Sequence, residues 1–288
     1  MASPLRELVA DAIDRLPEPL TPPDPGVVVD LVDRLPRADA ALLECHLDGS
    51  RRMDLGLRAL VGQDDTTAPV AGVAGDTLWH EYDVTTAGVS GPAVFVGPGA
   101  PGRVRTVPAL TARLDVLARL TGESIAGSVR HRVRECVTRL PPGGTVTYVG
   151  HFGGRDPKCL RLTVLGLAPW WIDRYLAAIR WPGDARPLLE RAHHVMCRSR
   201  TPLALMQHLD LTDSVLPGLG LELRPVREAG WDGVVTELIG DVGETLRDWT
   251  GRDEHGVRRV GYLKWILAPD GTERVKAYLF VGLRKRRS

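Results

Sequence analysis

Leu5, Leu8, Val9, Ala12, Ile13 and Leu16 recur at helical spacing and stop at Pro17, which predicts a short amphipathic helix. A proline-rich linker follows through Pro25. Val27 to Leu35 fits a strand or a second short helix, with Asp30 and Asp33 favouring the helix. Beyond it the period changes to two. Leu43, Cys45 and Leu47 alternate with Leu42, Glu44 and His46, and Asp48-Gly49-Ser50 makes a turn. Met53, Leu55, Leu57 and Ala59 then alternate with Asp54, Gly56 and Arg58. This is an antiparallel hairpin with one apolar and one polar face. A weaker pair spans 78–84 and 93–96, and another spans 146–152 and 160–165. Leu219, Leu221 and Leu223 alternate with Gly220, Glu222 and Arg224. The clearest hairpin flanks Pro269-Asp270-Gly271. Leu263, Trp265, Leu267, Val275, Ala277, Leu279 and Val281 form its apolar face, and Tyr262, Lys264, Lys276 and Tyr278 its polar one.

Between these pairs, residues 107–121, 125–140, 169–179, 185–198, 231–238 and 242–249 have helical patterns. Residues 203–211 fit a short helix or a strand, and 63–76 reads as loop. Most strands are apolar on one face only, which argues against a parallel sheet buried on both sides. The expected class is therefore α+β: an antiparallel barrel or strongly curved sheet with helices packed outside. In a closed sheet the polar faces would line a lumen. The expected organisation is an N-terminal helix and linker (1–25), a single α+β domain (26–283) and a basic tail (284–288).

Composition narrows the field of partners. The formal net charge is +1, with 37 basic and 36 acidic side chains, so nothing global draws the chain to nucleic acid or an anionic membrane. No apolar run reaches the length of a membrane span. The first twenty residues carry Glu7, Asp11 and Asp14 and no apolar core of a signal peptide. Four widely spaced cysteines without a CxxC point to a reducing, cytoplasmic setting.

Candidate chemistry lies on the polar strand faces. Arg161, Arg224, Lys264 and Lys276 would bring cations from three hairpin units to one place, the arrangement needed to hold an anionic leaving group. The same residue types also serve as solvated strand faces. Glu44, Asp54 and Glu222 are the candidates for acid–base work, and Glu222 is preferred because Leu219-Gly220-Leu221 leaves room beside it. The eight histidines are scattered and form no HExxH, and neither His80-Glu81 with Asp83 nor His208 with Asp210 has the spacing of a known metal site. No GxSxG or GxxxxGK occurs, and the glycine-containing loop at 97–102 is given no phosphate-cradling role. Cys45 shares a face with Leu43 and Leu47, away from His46, and reads as core. Seven Trp against three Phe is a skew. Trp170, Trp231, Trp249 and Trp265 are expected to pack helices on the sheet, and Trp79 to wall a pocket.

Helices alternating with antiparallel strand pairs, and Arg, Lys and Tyr on the inward strand faces, resemble the ABBA-type prenyltransferases over about residues 40 to 283. By size the nearest branch is the peptide-modifying enzymes. The resemblance implies prenyl transfer from an allylic diphosphate to a peptide or aromatic acceptor. It implies that Arg161, Arg224, Lys264, Lys276 and Tyr278 hold the diphosphate and that Glu222 or Glu44 takes the acidic role. Mg²⁺ would be held through the diphosphate. The alternative is a non-enzymatic peptide-binding or scaffold protein that uses the polar sheet face as a shallow docking groove. An enzyme would instead need a deep cavity with convergent polar groups.

Overall fold

The computed structural model describes residues 3–35, 37–60, 76–85, 88–98, 106–153, 158–198, 203–225, 246, 248–252, 255–268 and 270–284. Strands β1 (Ala40–His46), β2 (Met53–Leu60), β3 (Thr77–Tyr82), β4 (Val84–Thr85), β5 (Gly88–Val89) and β6 (Ala93–Gly97) precede the central helices. Strands β7 (Thr145–Phe152), β8 (Cys159–Leu165), β9 (Leu203–Leu211), β10 (Val215–Pro225), β11 (Gly251–Arg252), β12 (Gly256–Leu267) and β13 (Glu273–Leu283) follow. The order β10-β9-β8-β7-β6-β3-β2-β1-β13-β12 is antiparallel throughout, and pairing of β10 with β12 joins its two ends. The sheet is thus a closed ten-stranded barrel, with β11 added beside β12 and β4–β5 forming a separate small hairpin. Closure leaves no free edge among the ten strands.

Both turns of the strongest hairpins come from local chemistry. Asp48 Oδ1 accepts from the Ser50 N–H at 3.0 Å, and Asp270 Oδ1 from the Thr272 N–H at 3.0 Å. Gly271, at φ +80°, supplies the left-handed residue that the second turn requires.

The helices lie outside. α1 (Pro4–Asp14) and α2 (Pro25–Leu31) cover one side, and α2 resolves the ambiguous stretch after Pro25 as helix. Pro25 at its first turn and the Asp24 carboxylate accepting from the Val27 N–H at 3.3 Å start it. α3 (Val107–Thr121), α4 (Gly127–Thr138), α5 (Pro169–Ala178) and α6 (Arg186–Arg198) cover the other side. Two cores result. Leu5, Val9, Leu43, Leu55, Leu263 and Leu279 belong to one, and Leu117, Val133, Leu162, Leu188, Leu209 and Leu221 to the other. Each fully buried Leu or Val contributes about 1.5–3 kcal/mol. Cys45 sits in the first core, where burial pushes its thiol up and out of reach of nucleophilic use.

Residues 203–211 are strand. Neighbours on both sides, β8 and β10, satisfy the backbone, and Leu205, Leu209 and Leu211 face the helices. Trp265 and Trp249 are core residues, as expected, but Trp170 is 71% exposed and packs no helix onto the sheet. It stands in the first turn of α5, whose buried side is Ile172, Tyr175 and Leu176. The helix expected at 231–238, most of that at 242–249, Trp231, the loop at 63–75 and the tail at 285–288 lie outside the described residues. No described helix is long and apolar enough to cross a membrane.

Candidate functional site

Because the apolar strand faces turn out toward the helices, the polar faces turn in. They enclose a cavity of about 460 Å³ inside the barrel. Glu44, Arg161, Glu222, Arg224, Lys264 and Tyr278, brought in by β1, β8, β10, β12 and β13, all line it. Lys276, the sixth predicted site residue besides Glu44, is not among the lining residues. The polar faces therefore form an internal chamber and not a shallow groove.

One sector is cationic. On β8, Arg161 makes a bidentate pair with Asp210, Nε to Oδ1 at 2.6 Å and the second nitrogen to Oδ2 at 2.8 Å. Its guanidinium lies 4.4 Å from the Phe152 ring centroid. Burial opposes its charge, but Asp210 outweighs burial and raises its pKa. Arg224 donates twice to Glu222 Oε1, at 3.1 and 2.7 Å, and lies over the Tyr262 ring at 5.1 Å. His208 Nε2 is 3.0 Å from Glu222 Oε2, and its Nδ1 is 3.4 Å from the Thr163 hydroxyl. Burial and then the Lys264 charge lower the His208 pKa to about 4, so the ring is neutral near pH 7. A neutral ring that donates from Nε2 to Glu222 accepts at Nδ1 from Thr163. Burial would raise the Glu222 pKa, but Arg224 and His208 together lower it.

Lys264 is different. It is 5% exposed, and among the described residues no carboxylate lies within ion-pair reach of it. Its nearest aromatic partner is the Tyr278 ring, 5.8 Å from Nζ. Burial, with the Arg161 charge, lowers its pKa to about 8. The backbone leaves room for it: Gly220 on β10 faces the same space, and a Cβ there would lie 2.8 Å from Lys264 Cε and 3.1 Å from His208 Cβ.

Aromatic rings line the same chamber beside these cations. Tyr262 and Tyr278 stack with centroids 4.1 Å apart and planes 18° from parallel. Register places Tyr262 opposite Tyr278, and Tyr278 opposite Glu44. Trp79, Phe95, Tyr148 and Phe280 complete the wall, so Trp79 lines the pocket as its position suggested. Burial raises both stacked phenols well above their ordinary value, and they stay neutral donors.

Lys276 belongs to a second cluster at one end of the lumen. Its ammonium pairs with Glu44 Oε1 and lies 3.7 Å from Asp54 Oδ2. Asp54 also meets His46 Nε2 at 2.9 Å, Arg52 Nε at 3.0 Å and the Val84 N–H at 2.9 Å. Glu44 Oε2 has no hydrogen-bond partner and is buried.

Sequence reasoning missed His208 as part of this site, and it missed Asp210 and Glu81 as neighbours of the cations, whereas Tyr262 stood on the polar face with Lys264. Alternation of Met206, His208 and Asp210 against Leu205, Leu209 and Leu211 was the available signal for β9, and it was left between helix and strand.

No protein-family model and no curated protein sequence matches the chain. Solved structures do. PriB, in a ternary complex with L-tryptophan and dimethylallyl thiolodiphosphate, matches with TM-score 0.56 and 14% identity over 96% of this chain and 95% of that one. NotF, in complex with brevianamide F and the same thiolodiphosphate, gives 0.55 and 10% over 96% and 94%. AnaPT from Neosartorya fischeri gives 0.54 and 12% over 87% and 80%. These structure neighbours are ABBA-type aromatic prenyltransferases, so the resemblance drawn from the strand pattern holds for the fold.

Proposed function

We propose that the chain transfers a prenyl group from an allylic diphosphate to an aromatic acceptor, free or within a peptide. The observation that carries this reading is Lys264: a buried ammonium without a carboxylate partner among the described residues, inside a chamber walled by aromatic rings. A buried cation with no ion pair of its own among the described residues favours an anionic ligand. The aromatic wall suits the allyl group, whose positive charge grows as the diphosphate leaves. PriB and NotF were each captured with a dimethylallyl thiolodiphosphate and an aromatic acceptor in the same fold.

In this mechanism Lys264, Arg161 and Arg224 face the diphosphate, and the Tyr278 hydroxyl donates to it. The allylic C–O bond breaks, and its electron pair leaves with the diphosphate. The acceptor's nucleophilic atom forms the new bond to the allyl carbon, and its proton passes to a carboxylate. Glu222, preferred from the sequence, has Oε1 held by Arg224 and Oε2 by His208. Glu44 keeps Oε2 free, across from Tyr278. We therefore assign the proton to Glu44 and to Glu222 the holding of Arg224 and His208. Burial would raise the Glu44 pKa, but Lys276 and then Lys264 hold it well below the usual carboxylate range. Such a carboxylate is weak, yet sufficient for the acidic proton of an arenium cation.

Mg²⁺ fits poorly on the protein itself. The buried Glu44, His46 and Asp54 place ligand atoms within 4.8 Å of one another, but the Lys276 ammonium pairs with Glu44 there and one donor is an imidazole. Mg²⁺ would accompany the diphosphate oxygens.

Calorimetric titration with dimethylallyl diphosphate, geranyl diphosphate and inorganic pyrophosphate tests the donor half. Mass spectrometry after incubation with tryptophan and tryptophan dipeptides tests the acceptor half. Folded protein that gives no heat with any of the three at millimolar ligand overturns the transferase reading.

A further inference from the structure

Resting on that reading, we propose that Lys276 is the resident counter-cation of Glu44 and Asp54, a positioning residue and not a ligand of the diphosphate. Three observations carry this. Lys276 does not line the cavity, whereas Lys264, its direct partner across β12 and β13, does. Its ammonium is engaged by Glu44 and faces Asp54, both buried. Three potential ligand atoms, from Glu44, His46 and Asp54, converge within 4.8 Å in a geometry that would otherwise suit a metal ion. The lysine thus does what a fixed cation would do. It ties down Glu44 Oε1 and leaves Oε2 as the oxygen without a hydrogen-bond partner.

Adjacent lysines on one polar strand face consequently have opposite duties. Among the described residues Lys264 has no carboxylate within ion-pair distance, and Lys276 has two. The groups facing Glu44 are Lys276 and Tyr278 from β13, Lys264 from β12, Asp54 from β2 and, farther along its own strand, His46. Of these, Lys276 makes the largest favourable contribution to keeping Glu44 ionised.

The test compares wild type, Lys276→Arg, Lys276→Met and the charge-neutral pair Glu44→Gln/Lys276→Met. The pair guards against a single variant that fails to fold. Inorganic pyrophosphate should bind the folded variants within about twofold of wild type. Turnover at saturating donor should fall at least tenfold in Lys276→Met with the donor KM little changed, and Lys276→Arg should restore most of it. The acidic limb of the rate profile should move to higher pH in Lys276→Met, because Glu44 loses its principal counter-charge. A tenfold or greater loss of pyrophosphate affinity in folded Lys276→Met or in the neutral pair would overturn the proposal and make Lys276 a donor ligand. Wild type that binds no pyrophosphate would defeat the transferase reading instead. In that case a double-mutant stability cycle on Glu44 and Lys276 still decides the pairing: strong coupling supports it, and additivity overturns it.

Discussion

The two charged sectors of the lumen are built from the same alternation yet end in different states. Around Asp54, each of three carboxylates meets a cation: Lys276 is shared by Glu44 and Asp54, and Arg52 by Asp54 and Asp83. Around Lys264, Arg161 and Arg224 take Asp210 and Glu222, and among the described residues the lysine makes no ion pair. A closed network stabilises one end of the barrel, and an open one is prepared for a ligand. The difference lies in one carboxylate, and it makes one sector structural and the other receptive.

The most severe way to break the contrast is Lys276→Glu. Its strand face is polar, so from the sequence the variant is expected to keep the fold and lose donor binding. The structure contradicts that expectation: the new carboxylate would join Glu44 and Asp54, both buried. Stability should fall by about 3–5 kcal/mol, measured by denaturant unfolding. A variant as stable as wild type would show that the cluster is not closed.

Lys264→Met should behave in the opposite way. Removing a buried ammonium that makes no ion pair among the described residues should leave the protein at least as stable at pH 7, while pyrophosphate affinity drops by about ten- to a hundredfold. Calorimetry beside thermal unfolding reads both quantities, and equal losses in both would erase the distinction between the sectors.

pH sharpens the comparison further. Folded Lys264 loses its proton near pH 8, whereas the unfolded chain holds it to about 10.5. Between those values the unfolded state binds more protons, so this group makes stability rise with pH. Donor binding, which needs the ammonium, should weaken over the same range. Taking wild type minus Lys264→Met isolates the two opposed trends from other groups that titrate there. A pyrophosphate affinity flat from pH 7 to 9.5 in wild type would deny Lys264 its role.

Gly220→Ala should have a smaller effect. Its Cβ would meet Lys264 Cε at 2.8 Å, the far end of a side chain able to shift, and His208 Cβ at 3.1 Å, which is less free. A cost of about 1–3 kcal/mol in unfolding and a several-fold loss of pyrophosphate affinity are expected. Smallest of all, Trp170→Ala on the exposed turn of α5 should change stability by no more than about 0.5 kcal/mol and leave ligand binding alone.

Much of this is legible in the sequence. The alternation of Leu263 and Trp265 with Tyr262 and Lys264 placed each side chain on its face, because side chains on a strand point alternately to either side. The same reading put Glu222 and Arg224 beside each other, Cys45 in a core and Trp79 against a pocket. It failed at Trp170, since a helix's apolar residues predict its buried stripe only when all belong to that stripe. It hesitated over 203–211, where nine residues are too few to separate periods and only pairing with β8 and β10 decides.

Sequence alone determined which residues share a face, where the chain turns and that the apolar faces need helices to cover them, for these follow from local geometry and the avoidance of water. Closure of the sheet, by pairing Leu219 to Leu223 with Leu263 to Leu267, needed tertiary structure, because strand register across dozens of residues is set by the packing of both cores. The same closure decided which cations are paired and which makes no ion pair among the described residues. Lys264 and Lys276 are alike in the sequence, and only tertiary structure separates their roles: Glu222, directly opposite Lys264 on β10, is taken by Arg224 and His208, whereas Glu44 on β1 and Asp54 on β2 meet Lys276.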